Sequence, residues 1–265
     1  MSDSQKPIAF VSISTNHGTM IVNRYDYRLT DSGGYGVGYQ LLNTSSFDQE
    51  EVNFVKQLLL LRRQYFGDGV VSIDCGANIG VHTIEWAKLM TGWGTVLAIE
   101  AQERIFYALA GNITLNNCFN ARAIWAAIGE REGTIGVPNP NYLTPSSFGS
   151  LEIKKVSSTE YIGQDIDYAN TSATRLTTID GLQLERLDFI KIDIEGMELE
   201  SLAGGENSIK RYRPVMVVEK IKSNEGELVS FMHSHGYSVY PLGINILAVH
   251  NDDPIIKHLP NSSSV

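Results

Sequence analysis

Cysteine is nearly missing from this chain: Cys75 and Cys118 are its two examples in 265 residues. Two thiols cannot build a disulfide framework or a four-thiolate metal site. The expected setting is therefore a reducing compartment, the cytoplasm. Basic residues are also few, 21 Lys and Arg against 30 Asp and Glu, and they are scattered. A net charge of −9 excludes a general affinity for nucleic-acid phosphates or an anionic membrane face. No apolar run reaches the roughly 18 residues that membrane insertion needs. The longest cluster, residues 52–61, is broken by Lys56 and Gln57, and the polar start at residues 1–6 does not read as a signal peptide. No repeat of fixed period is present, which excludes solenoids and propellers. No histidine pair has metalloprotease spacing; His233 and His235 read as a helix end before Gly236.

What is present is a globular composition, 43% hydrophobic, long enough for one large or two small domains with a sizeable core. Residues 8–23 alternate and are β-branched around Thr15-Asn16-His17-Gly18, a hairpin signal. A glycine-rich turn, Ser32-Gly33-Gly34-Tyr35-Gly36, leads to a helix over residues 48–63 with Val52, Val55, Leu58 and Leu59 at helical spacing. From residue 70 onwards strands and helices alternate. Strands are expected at 70–74, 95–99, 121–128, 188–194 and 215–218, with helices at 80–89, 104–116, 197–210 and 225–235. Two closing strands, 237–241 and 245–250, suggest a hairpin. This rhythm indicates an α/β fold with a mostly parallel, doubly wound sheet of seven strands and an antiparallel C-terminal hairpin. Between residues 129 and 174 the rhythm stops, and loops that long are usually lids or binding loops.

The most informative window is Ser72-Ile73-Asp74-Cys75-Gly76-Ala77-Asn78-Ile79-Gly80. A strand ends, small residues turn the chain, and a helix starts. Amides at such a turn can donate only to anions or carbonyl-type oxygens, and absent side chains allow close approach. Gly76 and Gly80 are four apart, which is not the dinucleotide fingerprint, and no Gly-Lys-Ser/Thr follows as in a phosphate loop. Asp74 suits a cationic or amino-bearing ligand. Glu100 ends the next strand, 20 residues past Gly80, where a carboxylate can accept both hydroxyls of a ribose. Together these features point to nucleoside binding at a crevice beyond the strand ends.

With these residues the sequence resembles the S-adenosylmethionine-dependent methyltransferases of the FkbM family. The resemblance rests on Asp74 to Gly80 with His82-Thr83, on Ala98-Ile99-Glu100, on Ala126-Ala127-Ile128-Gly129 and on Phe148-Gly149-Ser150. Its strongest element is Lys191-Ile192-Asp193-Ile194-Glu195-Gly196-Met197-Glu198. It runs from about residue 70 to 249. Ala101-Gln102 stands where the family often has proline, and Cys75 where Ile or Val is common; neither touches a polar contact. The resemblance implies a Rossmann-like class I domain at 69–260 with an insert at 137–174, behind a hairpin-and-helix cap at 1–68, and a frayed tail at 261–265. It implies S-adenosylmethionine as cofactor. Asp74 and the turn through Gly76, Ala77, Asn78 and Gly80 would hold the methionine end, Glu100 beside Ala101 the ribose, and the segment around Ala127 the adenine.

Asp193, Glu195 and Glu198 cluster where an apolar strand gives way to a helix. Carboxylates favour a helix start, and Glu198 fits that structural role. Asp193, at a central strand end, would face the crevice and act as base or orient the acceptor, with Glu195 and Glu219 next. His82 reads more readily as a partly buried structural histidine. The three acids would suit Mg²⁺ or Ca²⁺, but no ligand spacing demands an ion, and none is assigned. The expected activity is O-methylation of a sugar or small-molecule hydroxyl, with a glycan or small molecule as partner and a homo-oligomer possible. Tyr25, Tyr27, Tyr35 and Tyr39 could shape the acceptor pocket, pack a dimer contact or fill the core. The rival readings are a nicotinamide-dependent oxidoreductase, disfavoured by the glycine spacing, and a non-catalytic protein that binds the nucleoside.

Overall fold

The computed structural model describes residues 7–31 and 33–259. The tail at 261–265, expected to fray, lies outside them. The chain opens with a hairpin, β1 (Phe10–Thr15) and β2 (Gly18–Asn23), closed where Thr15 pairs with Gly18. A short second hairpin, β3 (Arg28–Thr30) and β4 (Gly33–Tyr35), takes in much of the glycine-rich segment. Helix α1 (Val37–Thr44) has no counterpart in the sequence reading. Eight residues give little periodicity, and its start is held from a distance: the Gly38 amide donates to Asp26 Oδ2 at 2.9 Å. Helix α2 (Gln49–Phe66) follows. Its Arg62 is buried, ion-paired with Asp188 at 3.3 Å and with Asp253.

The α/β part runs β5 (Val70–Cys75), α3 (Val81–Leu89), β6 (Gly94–Glu100), α4 (Glu103–Leu115) and β7 (Ala121–Trp125). The third expected strand does not stay in one sheet. The chain leaves at Ala126, and β8 (Ala127–Ile128) joins a separate three-stranded sheet with β9 (Gly133–Pro138) and β10 (Thr171–Thr177). β9 and the start of β10 lie inside the stretch read as irregular, residues 129–174. They are rich in Gly and Thr and half exposed, so they lack a clear apolar alternation. Then come β11 (Phe189–Ile192), α5 (Glu198–Ala203), α6 (Glu206–Tyr212), β12 (Val215–Glu219), α7 (Glu225–Ser234), β13 (Tyr237–Leu242) and β14 (Asn245–His250).

The main sheet has the order β13-β14-β12-β11-β5-β6-β7, the seven-stranded mixed sheet expected from the sequence. β14 pairs antiparallel with both neighbours, while β12, β11, β5, β6 and β7 are parallel. Alternate residues feed two cores. Val96, Phe189, Val215 and Val217 pack on one face with Met20, Leu41, Val55 and Leu59 from the N-terminal elements. Ile73, Ile99, Ile190 and Met216 pack on the other with Leu202, Leu228 and Met232 from the C-terminal helices. Among the described residues no helix is long and apolar enough to cross a membrane. The strand order reverses between β5 and β11. Open α/β sheets bind ligands outside the carboxyl ends of strands at such a switch point.

Candidate active site

At the switch point β5 turns away through Gly76. Its φ is +78°, and a Cβ there would sit 1.7 Å from the Asp193 carbonyl oxygen, so only glycine lets the two strand ends pass this closely. The turn consumes its own donors. The amides of Gly76 and Ala77 both donate to the Ile99 carbonyl at 3.0 Å, and the Gly80 amide to Ala77 at 2.9 Å. The Asn78 amide donates to Glu100 Oε2 at 3.0 Å, and the Ile79 amide to Asn78 Oδ1 at 2.7 Å. The carbonyl-type partner is thus the neighbouring strand, and the turn offers a ligand shape more than donors.

A cavity of about 380 Å³ opens over these strand ends. Asp74, Gly76, Ala77, Asn78, Gly80, Glu100, Ala101 and Ala127 all line it. Asp74 is buried and accepts from Thr83 Oγ1 at 2.6 Å; burial raises its pKa against the pull of Lys191 and Thr83. Glu100 is buried too. Its Oε1 accepts from the Gln102 amide at 2.7 Å, and burial, opposed by these backbone bonds, pushes its pKa up to about 7. Each carboxylate oxygen has a second lone pair, so two more donors can be met.

The other end of the same cavity is lined by Asp193, Glu195 and Glu219. One oxygen of each carboxylate lies within 4.8 Å of the others. Asp193 follows β11, its amide tied to the Cys75 carbonyl at 3.1 Å. Glu195 and Gly196 then adopt positive φ, +58° and +97°, which throws the Glu195 side chain back toward the strand ends. Glu198 holds that turn: it is fully buried and accepts from the Ile194 and Gly196 amides at 3.1 Å and from Ser223 Oγ. Its role is structural, as its helix-start position suggests. Burial and repulsion from Asp193 raise the pKa of Glu195 to about 8 and that of Glu219 to about 9. Glu219 Oε2 is buried with no hydrogen-bond partner.

Two lysines to which the sequence reading gives no role organise this end. Lys191, buried in β11, donates to Asp193 Oδ2 at 2.6 Å. Burial alone would lower its pKa, but Asp193, Glu51 and Asp74 outweigh that and raise it. A lone lysine in the apolar strand Phe-Ile-Lys-Ile was a visible signal, since lysine is almost never fully buried without a partner. Lys222 lies 2.5 Å from Glu195 Oε2 and 3.2 Å from Glu160 Oε2, and it donates to the Ser150 carbonyl at 2.9 Å. No sequence spacing marks it, because its partners lie far along the chain. His82 also lines the cavity, with Nε2 3.4 Å from Glu51 Oε1 and Nδ1 buried without a partner. Burial, with Lys191 nearby, holds its pKa well below the usual value, so the ring is neutral.

The long excursion forms a roof over the cavity. The Phe148 amide and the Gly38 amide share the carboxylate of Asp26, whose pKa burial pushes up to about 6. Gln102 donates to the Phe148 carbonyl at 2.8 Å, and Arg28 and Tyr35 grip Glu160 at 3.1 and 2.8 Å. Of the four tyrosines noted in the sequence, Tyr35 lines the cavity and Tyr25, Tyr27 and Tyr39 do not.

Residues 74–239 match the family described as Methyltransferase FkbM domain. "Methyltransferase 1" of Beauveria bassiana (strain ARSEF 2860) is 24% identical over 168 residues, covering 58% of this chain and 67% of that one. "Methyltransferase sdnD" of Sordaria araneosa is 27% identical over 154 residues, 50% of this chain and 59% of that one. The crystal structure of methyltransferase FkbM from Methylobacillus flagellatus KT superposes with a TM-score of 0.49 at 18% identity, over 72% of this chain and 48% of that one. The chain therefore spans well short of the full length of these relatives.

Proposed function

The chain belongs to the FkbM methyltransferase family, whose methyl donor is S-adenosylmethionine, and from that premise we propose that it methylates a hydroxyl oxygen on a sugar or other uncharged small molecule. One observation carries this reading. A single cavity joins a nucleoside-sized crevice, closed by Gly76 and Glu100, to the carboxylates of Asp193, Glu195 and Glu219.

The residues present suit the cofactor. Only glycine fits at position 76, which leaves the strand ends bare for close approach. Glu100 keeps a free lone pair on each oxygen for the two ribose hydroxyls. The segment from Ala126 to Ile128, carried out of the main sheet, supplies a small apolar wall for the adenine. Asp74 would take the amino group of the methionine end. When bound, the cofactor supplies an electrophilic methyl on a positively charged sulfur. The acids at this end of the cavity favour that charge.

The protein's remaining work is positioning. Transfer to oxygen is an in-line displacement, so holding the acceptor hydroxyl on the far side of the methyl supplies most of the acceleration. Asp193 is the first candidate to orient that hydroxyl and receive its proton, with Glu195 and Glu219 behind it. Lys191 is a positioning residue: it fixes one oxygen of Asp193 and leaves the other to meet the acceptor. Lys191 is the one lysine lining the cavity among the described residues, and no arginine joins it. Phosphorylated or carboxylated acceptors would find acids rather than cations there, which favours neutral ones.

Calorimetry tests the cofactor half: S-adenosylhomocysteine should release heat with a Kd below about 100 μM. Radiolabelled methyl transfer to extracts of neutral glycans and small hydroxylated molecules tests the acceptor half. Label arriving on amines or on phosphorylated compounds in preference to neutral alcohols would overturn the O-methyl assignment.

A further inference from the structure

We propose that Asp193, Glu195 and Glu219 form a binding site for a divalent cation of the Mg²⁺, Mn²⁺ or Ca²⁺ type, placed beside the acceptor. The inference deepens the methyltransferase reading and takes the location of the acceptor from it.

The geometry is the first support. One oxygen from each residue lies within 4.8 Å of the other two. Opposite oxygen ligands of one such ion stand about 4–5 Å apart, twice a metal–oxygen bond of about 2.0–2.6 Å. Three carboxylates and no sulfur or imidazole in the set is the hard, oxygen-only chemistry these ions prefer.

The second support is independent of the clustering. Glu219 is 7% exposed, ends the central strand β12, and turns a carboxylate into the cluster with Oε2 buried and unpartnered. Buried polar atoms are almost always satisfied, so an orphan at this position marks a missing partner. The lysines do not fill that role. Lys191 engages Asp193 through Oδ2, and Lys222 engages Glu195 through Oε2. Each lysine reaches one oxygen of its carboxylate, and neither bonds Glu219, whose Oε2 has no partner.

Charge balance points the same way. Asp48, Asp74, Glu100, Glu160, Asp193, Glu195 and Glu219 line the cavity against Lys191, with Lys222 paired to Glu160 and Glu195. The positively charged sulfur of the methyl donor offsets one of these acids. A cation at the cluster would offset two more, and its open coordination positions would be free for a hydroxyl oxygen of the acceptor. Bound there, the hydroxyl is held by an ion rather than by a single hydrogen bond, which fixes its direction toward the methyl.

The experiment is titration calorimetry of Mn²⁺ into the whole chain, with and without S-adenosylhomocysteine, and with the same titration of that ligand alone. The expected result is about one equivalent of Mn²⁺ bound with a Kd below about 1 mM, competed by Mg²⁺ or Ca²⁺. Glu219→Gln should weaken Mn²⁺ at least about tenfold while leaving the affinity for S-adenosylhomocysteine within about threefold. Glu195→Gln provides a second variant, and the melting temperature of each shows that it is folded. No Mn²⁺ heat, or heat unchanged in both folded variants, overturns the cation site. The two readings fail separately: heat from S-adenosylhomocysteine without Mn²⁺ removes the cation site alone, and heat from Mn²⁺ without S-adenosylhomocysteine removes the methyltransferase reading alone.

Discussion

The two ends of the cavity are built on different principles. At the Gly76 end every amide of the turn has a partner nearby: those of residues 76 to 80 are all satisfied, and Glu100 is held at Asn78 and Gln102. At the Asp193 end the Lys191–Asp193 pair is local, but Glu195 is tied by a long connection. Lys222 reaches Glu195 from one side and Glu160 and Ser150 of the roof from another, while Glu219 Oε2 is left without a partner. A satisfied, rigid crevice binds one invariant ligand with little reorganisation. An end with an unmet polar atom and a roof held by ion pairs can be completed by a second ligand. On the function proposed above, the first end takes the cofactor and the second the acceptor.

The sharpest way to break the contrast is at the point where the two ends touch. Gly76→Ala would drive a Cβ into the Asp193 carbonyl in a backbone conformation alanine avoids. We expect a loss of at least about 4 kcal/mol, or roughly 10 °C in melting temperature, with both ends failing together. Gly133→Ala, where a Cβ meets nothing within 4 Å, is the control and should leave the midpoint unchanged. A stable Gly76→Ala protein would mean the strand ends are not packed as described.

Next in size comes Asp193→Asn. It keeps the shape of the side chain but removes the charge opposite Lys191. Turnover should fall about a hundredfold or more, while S-adenosylhomocysteine still binds within about threefold, because the crevice end does not use this group. Equal losses in both measurements would erase the distinction between the ends.

The roof gives a smaller effect. Lys222→Met keeps an apolar stem but drops the bonds to Glu195, Glu160 and the Ser150 carbonyl. The expected outcome is a KM for the acceptor raised about tenfold with a smaller change in kcat, since the roof bounds the acceptor and not the crevice. A raised Kd for S-adenosylhomocysteine instead would show that Lys222 supports both ends.

The same contrast explains what the sequence could say. The crevice was legible because its parts are neighbours in the chain: Asp74 to Gly80 is one turn, and Glu100 is the end of the next strand. The sheet was legible for a similar reason, since buried parallel strands read as short apolar runs. The acceptor end was read only through its acids. Lys222 sits 27 residues past Glu195 and 62 past Glu160 in the sequence, and no periodicity connects such positions. The pairing of Asp26 with the Phe148 amide spans 122 residues and anchors the roof, yet Asp26 alone looks like a turn residue. The third strand misled for another reason. Residues 121–128 are apolar apart from Arg122 and read as one strand, but the chain leaves the sheet at Ala126 and lines the cavity.

The finest test uses pH at the crevice alone. Burial holds the Glu100 carboxyl at about 7, above its ordinary 4.5. For the ligand-free protein the sign follows from linkage: a raised native pKa contributes stability below the unfolded value, and that contribution is lost as pH rises through about 7. With Glu100 in its proposed ribose-binding role, binding runs the other way, because two hydroxyl donors need an ionised acceptor. The affinity for S-adenosylhomocysteine should therefore rise by at most about tenfold between pH 6 and 8, flattening above, as the carboxylate fills from about a tenth to about nine-tenths ionised. Glu100→Gln should bind more weakly at pH 8 and lose the slope. Two carboxylates of the other end titrate in or just above this range, Glu195 at about 8 and Glu219 at about 9. If Asp193→Asn, which lowers the repulsion on Glu195, shifts the pH profile of S-adenosylhomocysteine binding as well, the two ends share one electrostatic field and the crevice is less self-contained than its hydrogen bonds imply. A profile that responds to Glu100→Gln and ignores Asp193→Asn keeps them separate.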